Sequence, residues 1–265
     1  MKKILLTGAN GGLGKAVTKY FIQNGFFVYR TDVSLGEELP NSKQILSDNT
    51  NSESIKKLRE IIKNETDSLD AIVHVAGYFY MDSFIEIEER DLRKIFDINF
   101  FGVYLINKEF FDLVKNDGRI VIVTSEVATL YPLPFESIYG LTKSTLDNYA
   151  SALRMELMLH NVPVTVVRPG AIKTEFLGAS TTALDRLCEK TKLYNYNAKR
   201  FKHIVEKTES NAVEPIKVAK LIFKATTVKK PKFTYKINHN KGLKLLNALP
   251  KKMQVFIIKK ILKQK

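Results

Sequence analysis

The stretch KILLTGANGGLG, residues 3–14, joins a short apolar run directly to a glycine-rich turn, and it decides the fold class. Glycine permits positive φ angles and lacks the Cβ atom that would keep a backbone away from a pyrophosphate. A helical pattern begins at Gly14, and the start of such a helix offers unpaired N–H groups and the positive end of its dipole. The stretch therefore predicts a strand, a phosphate-binding turn and a helix, rather than a turn that only reverses the chain.

The same alternation of strand and helix continues along the chain. Runs such as IVIV (residues 120–123) are apolar enough for burial on both faces, as in a parallel sheet. The pattern predicts an α/β fold, a Rossmann-type doubly wound parallel sheet of about seven strands with helices on both faces. The predicted strands are Lys3–Thr7, Phe26–Arg30, Lys43–Leu46, Ala71–Val75, Arg119–Thr124, Val162–Arg168 and Lys232–Ile237, and the predicted helices include Gly14–Asn24, Asn51–Asn64, Leu92–Lys115 and Ser137–His160.

The sequence shows no internal repeat and no domain boundary, so residues 1–248 are predicted to form one domain. Residues 174–211 are polar and helical in tendency, and their place after the sixth strand suits a mobile lid. Residues 249–265, LPKKMQVFIIKKILKQK, predict a basic amphipathic helix.

The chain has 265 residues and a net charge of +14, which is unevenly distributed. Residues 215–265 contain 15 lysines and no acidic residue, so residues 1–214 carry a net charge of −1. A nucleic-acid-binding protein usually carries a basic face within its folded domain, and no nucleic-acid-binding motif is present. The charge therefore predicts no nucleic-acid partner. The composition, 45% hydrophobic and 26% charged, is typical of a globular protein and excludes a disordered chain.

The single cysteine, Cys188, excludes a disulfide framework and favours a reducing compartment. The N-terminal apolar run is too short for a signal peptide, and no uncharged apolar stretch reaches the roughly 18 residues of a membrane span. We therefore expect a cytoplasmic protein, with peripheral membrane contact through residues 249–265 left open.

Asp32 closes the second predicted strand 18 residues after Gly14, about where an acidic side chain accepts hydrogen bonds from an adenosine ribose. A carboxylate at this place repels a 2′-phosphate, so the sequence favours NAD(H) over NADP(H). Arg30 and Lys15 are the opposing observation, because either could pair with a phosphate. We interpret both as solvated surface charges, and NADP(H) stays possible.

Tyr139 and Lys143 lie four residues apart in YGLTK and share one face of a predicted helix. A phenol with a pKa of about 10 is a poor base at neutral pH, but a neighbouring ammonium group favours the phenolate and lowers that pKa. Ser125 ends the preceding predicted strand and could hydrogen-bond a reacting oxygen. Such a pair is common and means little alone; its place after this turn and this strand predicts a proton-transfer site.

From Lys3 to about Ile237 the sequence resembles the short-chain dehydrogenase/reductase family, in its compact single-domain branch. Several separate motifs agree in order along the chain. They are TGxxxGxG (Thr7, Gly8, Gly12, Gly14), the asparagine of DINFFG (Asn99), YxxxK (Tyr139, Lys143), PGxxxT (Pro169, Gly170, Thr174) and an aspartate after the third strand (Asp48).

The resemblance implies reversible hydride transfer between a nicotinamide dinucleotide and an alcohol or carbonyl carbon. Tyr139 would pass the proton, Lys143 would lower its pKa and hold the nicotinamide ribose, Ser125 would orient the oxygen, and Asn99 would hold a helix kink and continue the proton path. The implied dinucleotide-binding residues are Gly8, Asn10, Gly12, Leu13, Gly14, Asp32, Asp48, Ala76, Gly77, Tyr139, Lys143, Pro169, Gly170, Ile172 and Thr174, and no metal site is implied.

Two departures from the family pattern concern the site. The family usually has Asn-Asn-Ala-Gly after the fourth strand, where this chain has HVAG from His74 to Gly77, so His74 or water must replace the asparagine's bonds. The interval from Ser125 to Tyr139 is one residue longer than usual, and strict spacing would put Glu126 in the serine's place. We assign Ser125, because Thr124-Ser125 matches the family's pair at the strand end.

Within the family, residues 125–143 most resemble the retinol and 17β-hydroxysteroid dehydrogenase-like group, which implies an apolar alcohol or ketone. The family also implies a homodimer or homotetramer through helices at residues 92–115 and 139–160, unless the C-terminal extension covers them. A non-catalytic dinucleotide-binding regulator of the same fold stays open as the alternative. The residues that would line an apolar pocket, although ordinary packing explains them equally well, are Val127, Leu130, Tyr131, Leu133, Phe176 and Leu177.

In the C-terminal segment, Met253, Phe256, Ile257 and Ile261 recur at helical spacing among lysines. Such a helix can lie in the interface of an anionic membrane. Most amphipathic helices instead pack their apolar face on the fold, and this one could also cover the substrate pocket. The sequence leaves both possibilities open.

Overall fold

The computed structural model describes residues 1–209 and 212–263, without the side chains of residues 176–179 and 207–209. In this part of the chain seven strands, all paired in parallel, form one sheet in the order β3-β2-β1-β4-β5-β6-β7. The predicted doubly wound sheet is confirmed. The strands are β1 (Lys2–Thr7), β2 (Phe26–Asp32), β3 (Ser42–Leu46), β4 (Leu69–His74), β5 (Val114–Val123), β6 (Val164–Pro169) and β7 (Thr234–Ile237).

The helices begin where the sequence supplies start signals. The Asn51 side chain accepts a hydrogen bond from the Ser54 backbone N–H at 3.0 Å and caps one helix, and Pro215, which has no N–H to leave unsatisfied, begins another. The helices are α1 (Gly12–Gln23), α2 (Ser52–Lys63), α3 (Glu89–Phe96), α4 (Gly102–Phe110), α5 (Ser137–Leu157), α6 (Glu175–Lys190), α7 (Asn195–Glu209), α8 (Pro215–Thr227), α9 (Lys241–Asn247) and α10 (Lys251–Leu262).

Both faces of the sheet are covered by helices, which is why the central strands are continuously apolar. Successive strand residues point to opposite faces. Leu6 therefore packs under α1 and α8, whereas its neighbour Leu5 packs under α2 and α4, and Ile122 packs under α5. Burying each side chain of this size stabilises the fold by about 2 kcal/mol.

The predicted helix Leu92–Lys115 was wrong in its extent. The structure has α3, a π-helical turn at Asp97–Phe101, and α4, and Val114 already pairs with Leu69 of β4 as the start of β5. The helical spacing of apolar residues continues through Leu113 and Val114, so periodicity alone extended the helix into the strand. The π-helical turn is the kink expected around Asn99.

The segment after β6 is helical, as its composition predicted. Helices α6 and α7 pack on the body through Ala183, Leu184 and Phe201, together with Phe135 and Leu262. Mobility of this lid remains a prediction. No described helix is both long enough and apolar enough to cross a bilayer.

Candidate active site

The residues that the sequence singles out follow the carboxyl ends of neighbouring strands. Thr7 ends β1, Asp32 ends β2, His74 ends β4, and Pro169 ends β6, while Ser125 follows two residues after β5. In a parallel sheet these ends meet at one edge, which is where α/β proteins bind their ligands. The fold therefore gathers the predicted residues into one crevice.

The glycine-rich turn is closely packed against the backbone around it. Gly8 has a φ of +69°, and a Cβ atom there would lie 2.5 Å from the Cα and N atoms of Ala76. A Cβ atom on Gly14 would lie 2.0 Å from the Gly8 carbonyl oxygen. Only glycine fits either position, and the turn leads directly into the N-terminus of α1. This arrangement fits a dinucleotide pyrophosphate.

Asp32 connects the end of β2 to this turn. Its Oδ2 accepts a hydrogen bond from the Asn10 backbone N–H at 3.0 Å, and its Oδ1 lies 3.4 Å from the Ser34 backbone nitrogen. The Asn10 side chain in turn donates to the Ser34 carbonyl oxygen. The carboxylate is thus held at the tip of the strand beside the turn.

Arg30 is not the solvated surface charge that the sequence analysis took it to be. It is only 3% exposed, and its Nη2 donates to the Glu37 carbonyl oxygen at 2.9 Å. Burial lowers the pKa of its guanidinium group, opposed by the nearby Glu37 and Glu38. Arg30 was misjudged because the segment after β2 folds back over it, whereas Lys15 is exposed as expected.

The Ser125 and Tyr139 side chains are neighbours, and the Ser125 hydroxyl lowers the pKa of the Tyr139 phenol. Ser125 caps a short 3₁₀ turn, accepting from the Val127 backbone N–H at 3.3 Å. Lys143, one turn after Tyr139 on α5, places its Nζ 5.7 Å from the centre of the Tyr139 ring and donates to the Val123 carbonyl oxygen at 3.4 Å. The structure thus brings together Ser125, Tyr139 and Lys143.

Burial governs the protonation of this pair. Tyr139 is 7% exposed and Lys143 is 4% exposed. Burial raises the pKa of the Tyr139 phenol above its usual value, opposed by the hydrogen bond from Ser125, and burial lowers the pKa of Lys143 to about 8. The sequence predicted that Lys143 lowers the Tyr139 pKa, but in the chain alone desolvation of the phenolate raises it.

Asn99 is fully buried in the π-helical turn and ties three segments together. Its Oδ1 accepts from the Tyr78 backbone N–H at 2.7 Å, and its Nδ2 donates to the Tyr78 carbonyl oxygen and to Thr142 Oγ1, each at 2.9 Å. Thr142 donates to the Tyr139 carbonyl oxygen at 2.8 Å. Asn99 thus anchors the catalytic helix to the segment after β4. A role in proton transfer stays a prediction.

The HVAG segment begins with a buried histidine that pairs with α4. His74 is buried, with its Nε2 2.8 Å from Asn107 Oδ1, and burial lowers its pKa to about 4. At the other end of the segment, a Cβ atom on Gly77 would lie 3.3 Å from Lys143 Nζ. Among the described residues no group of three histidine, cysteine or carboxylate side chains could hold a metal ion.

The PGxxxT motif lies opposite the glycine-rich turn. The Gly170 backbone N–H donates to the Ile237 carbonyl oxygen at 2.9 Å, and Ile172 bridges to Val213. A Cβ atom on Gly12 would lie 2.7 Å from the Thr174 Cβ, so the start of the lid contacts the turn directly. Leu13 packs into the core beneath it. Asp48, exposed after β3, accepts from the Thr50 backbone N–H at 2.8 Å.

Glu126 faces away from Tyr139. Its Oε2 accepts from the Asn240 backbone N–H at 2.6 Å, and burial raises its pKa. The geometry therefore places Ser125, and not Glu126, at the tyrosine.

Two features of the site escaped the sequence analysis. Asp147, one turn after Lys143, accepts from Arg168 Nε at 2.8 Å and from Thr124 Oγ1 at 3.2 Å. The sequence held one signal for this contact, because Asp147 is a carboxylate on the apolar face of a helix. The Phe79 ring packs 4.8 Å from the Tyr139 ring, and the run YFY directly after Gly77 was the only sign of an aromatic wall.

Four of the predicted pocket residues line one cavity of about 170 Å³ beside the start of α5. Leu141 also lines this cavity, whereas Tyr139 is not among its described lining residues. The side chains of Phe176 and Leu177 lie outside the described residues. The residues of the predicted set that line it are Val127, Leu130, Tyr131 and Leu133.

A family model described as "short chain dehydrogenase" matches residues 2–185. The chain belongs to the short-chain dehydrogenase family. It is therefore an oxidoreductase that transfers a hydride between a nicotinamide dinucleotide and an alcohol or carbonyl substrate.

Curated relatives agree with this assignment. The chain is 27% identical to a 3-ketodihydrosphingosine reductase of Bacteroides thetaiotaomicron, over 88% of this chain and 87% of that protein. It is 32% identical to an NADPH-dependent 1-acyldihydroxyacetone phosphate reductase of Schizosaccharomyces pombe, over 69% and 65%. It is also 32% identical to estradiol 17-beta-dehydrogenase 2 of Mus musculus, over 67% and 50%. None of these relatives supports the non-catalytic alternative, and the last agrees with the expected likeness to the 17β-hydroxysteroid dehydrogenase-like group.

A solved short chain dehydrogenase family protein from Francisella tularensis has the same fold. Its TM-score is 0.75 at 22% identity, over 89% of this chain and 97% of that chain.

Proposed function

We propose that Tyr139 is the proton-transferring residue, assisted by Ser125, Lys143 and Asn99, in the oxidation or reduction of an apolar, lipid-like alcohol or ketone. The observation that carries this is the position of Lys143 Nζ, 5.7 Å from the centre of the Tyr139 ring, with the Ser125 side chain acting on the same phenol. The three side chains sit at the carboxyl edge of the sheet, next to the glycine-rich turn.

The proposed chemistry follows from these contacts. When bound, the nicotinamide supplies or accepts the hydride. In reduction, the Tyr139 hydroxyl donates its proton to the substrate oxygen, which the Ser125 hydroxyl orients. The positive charge of Lys143 stabilises the phenolate that remains, and water screens it little because both groups are buried. Asn99 keeps α5 in register with the segment after β4 and, as we propose, leads the proton onward.

The glycines of the turn and Asn10 are proposed to hold the pyrophosphate, Asp32 the adenosine ribose, Asp48 the adenine side and Lys143 the nicotinamide ribose. Ala76, Gly77 and the PGxxxT residues would line the nicotinamide. The Asp32 carboxylate at the tip of β2 supports NAD(H), because it repels a 2′-phosphate. NADP(H) is the alternative, since the Schizosaccharomyces pombe relative is named as NADPH-dependent.

The apolar substrate class rests on two observations. The relatives are named for 3-ketodihydrosphingosine, 1-acyldihydroxyacetone phosphate and estradiol, each of which has a large apolar part, an aliphatic chain or a steroid ring system. Apolar side chains of the segment between Ser125 and Tyr139, such as Val127 and Leu130, border a cavity.

Tyr139→Phe tests the assignment. Removing the hydroxyl takes away the proton donor, and general acid–base catalysis is worth about 10²–10⁴-fold, so we expect kcat to fall at least about a hundredfold. NADH affinity, measured by fluorescence titration, should be nearly unchanged. Tyr20→Phe, the same change on α1, is the matched control. A Tyr139→Phe enzyme with more than a few per cent of the wild-type kcat would contradict the assignment.

For the whole chain we propose one domain at residues 1–248 followed by the C-terminal helix, a cytoplasmic location and a homodimer or homotetramer. Exposed apolar side chains on α4 and α5, such as Tyr104 at 38% and Met155 at 61%, support association through these helices. Sedimentation velocity on the full chain tests it, and a monomer at all concentrations would contradict it.

We also propose peripheral, salt-sensitive membrane contact through residues 249–265. If this proposal is correct, truncation after Ala248 abolishes binding of the chain to vesicles that contain anionic lipid.

A further inference from the structure

Helix α10 packs on the body with an unexpected face. Gln254, Ile258 and Leu262 point inward, and the Gln254 side chain donates to the Leu249 carbonyl oxygen at 2.7 Å. The predicted apolar stripe instead points outward, with Met253 49% and Phe256 66% exposed. The body therefore leaves the apolar stripe of this helix uncovered.

The lid helix α7 continues this exposed surface. A groove of about 560 Å³ runs between α7 and α10, and its apolar lining comes from Tyr196 and Ile204 on α7 and from Ile261 on α10. The remaining lining residues, Lys199, Arg200 and His203, are all basic. The two helices thus present one surface, the α7–α10 face, made of apolar side chains among cations.

The charge of the α7–α10 face is one-sided. Helix α10 and the residue after it contribute Lys251, Lys252, Lys259, Lys260 and Lys263 and no acidic residue. On α7 the one acidic side chain that is described, Glu206, lies 3.7 Å from Lys202 Nζ. A helix binds to a membrane surface when its apolar side chains enter the boundary of the bilayer and the cations around them attract anionic headgroups.

The α7–α10 face is also connected to the catalytic centre. Leu262 of α10, Ala198 of α7 and Leu184 of α6 share one buried cluster, and the Asn197 side chain donates to the Leu262 carbonyl oxygen at 2.7 Å. Phe79 packs against this cluster and against the Tyr139 ring. The lid helices therefore lie between the outward face and Tyr139.

We propose that the α7–α10 face binds the surface of an anionic bilayer, so that the lid itself, and not the C-terminal helix alone, forms the membrane contact. The consequence for catalysis rests on the proposed function. A lipid-like substrate would reach Tyr139 from the bilayer side, past a lid that is held at the membrane.

The test measures co-sedimentation of the full chain with phosphatidylcholine vesicles, with and without phosphatidylglycerol, at low salt. Lys199→Gln/Arg200→Gln removes two cations from α7 and leaves α10 intact. Lys229→Gln/Lys230→Gln is the control. It makes the same charge change in the loop that enters the amino end of β7, whereas α7 and α10 pack against residues that follow the carboxyl ends of the strands. Met253→Ser/Phe256→Ser removes the apolar contact of α10. Circular dichroism confirms that each variant folds.

Each basic residue near an anionic surface contributes about 1 kcal/mol, so the Lys199/Arg200 variant should bind about thirtyfold more weakly than the Lys229/Lys230 variant. Loss of binding by the Met253/Phe256 variant is expected as well. Equal binding by the two charge variants would overturn the proposal, as would equal binding to vesicles without phosphatidylglycerol. No substrate is present, so the outcome is independent of the proposed reaction.

Discussion

Lys143 can support Tyr139 only while it carries its proton. Burial lowers its pKa to about 8, so in the chain alone the ammonium charge is retained below about pH 8 and lost above it. Burial also raises the pKa of the tyrosine, which disfavours the phenolate. The two shifts have one cause, desolvation of a charged form, and both disfavour the ionised forms of the pair.

Asp32 sets the proposed cofactor preference. Asp32→Ala removes the repulsion of a 2′-phosphate, worth roughly 1.4 kcal/mol, so the ratio of kcat/KM for NADPH to that for NADH should rise about tenfold. Because Asp32 also accepts from the Asn10 backbone, Asp32→Asn, which keeps an acceptor but no charge, separates the two effects. A wild-type enzyme that already prefers NADPH would contradict this role and direct attention to Arg30 or Lys15.

His74 makes stability depend on pH. Its pKa is about 4 in the folded chain against 6.5 unfolded, because burial disfavours the imidazolium. As the pH falls below about 6.5 the unfolded chain takes up a proton that the folded chain refuses, so stability declines down to about pH 4. Between pH 7 and 5 the wild type should lose about 2 kcal/mol more of its unfolding free energy than His74→Asn.

Urea unfolding at the two pH values measures this difference. His160→Asn, a change at an exposed histidine, is the control and should behave as the wild type. Equal losses of unfolding free energy in the wild type and in His74→Asn would show that His74 does not contribute to the pH dependence of stability.

At the scale of elements, local signals were sufficient for the strands and for the glycine-rich turn. β1, the turn and α1 are contiguous, so spacing and glycine chemistry predict them. The end of the helix after Asn99 depended on pairing of Val114 with Leu69 of β4, which no local pattern contains. The packed face of α10 likewise depended on the lid, because Leu262 enters a cluster built by α6 and α7.

In the site, too, the parts that were predicted are those that local sequence determines. Tyr139 and Lys143 share a helix, so one motif locates both. The burial of Arg30 and the pairing of Asp147 with Arg168 come from chain that folds back from elsewhere, so sequence spacing does not show them. Resemblance to a family pointed to Ser125, and the structure shows what it contacts.

Asp147 joins the three elements that carry the site. It lies on α5, pairs with Arg168 of β6 and accepts from Thr124 at the end of β5. Asp147→Asn leaves Arg168, whose side chain is 15% exposed, without its counter-charge, and we expect a loss of about 3 kcal/mol in unfolding free energy and a lower kcat. Asp147→Asn/Arg168→Gln should recover most of the stability but not the kcat, since the strand ends are no longer tied to α5.

Thermal unfolding and steady-state kinetics on both variants check this. A double variant as unstable as the single one would argue against a buried charge pair. Full activity in Asp147→Asn would show that the network does not position the site.

For the whole molecule, the fold separates the surfaces that serve different tasks. The carboxyl edge of the sheet gathers the residues proposed for dinucleotide binding and for catalysis. The outer faces of α4 and α5 carry the exposed apolar side chains proposed for association, and α7 with α10 carries the basic face proposed for a membrane. The lid connects the last of these surfaces to the first.

The central claim is that this site moves a hydride to and from a largely apolar substrate with Tyr139 as its proton donor. The most direct measurement is transfer of deuterium from NADH labelled at C4 of the nicotinamide into a panel of apolar ketones, followed by mass spectrometry. The account predicts deuterium at the carbinol carbon of at least one product with the wild-type chain, formed at least about a hundredfold more slowly by Tyr139→Phe. Labelled product formed equally by both proteins, or NADH binding without transfer to any apolar ketone, would contradict it.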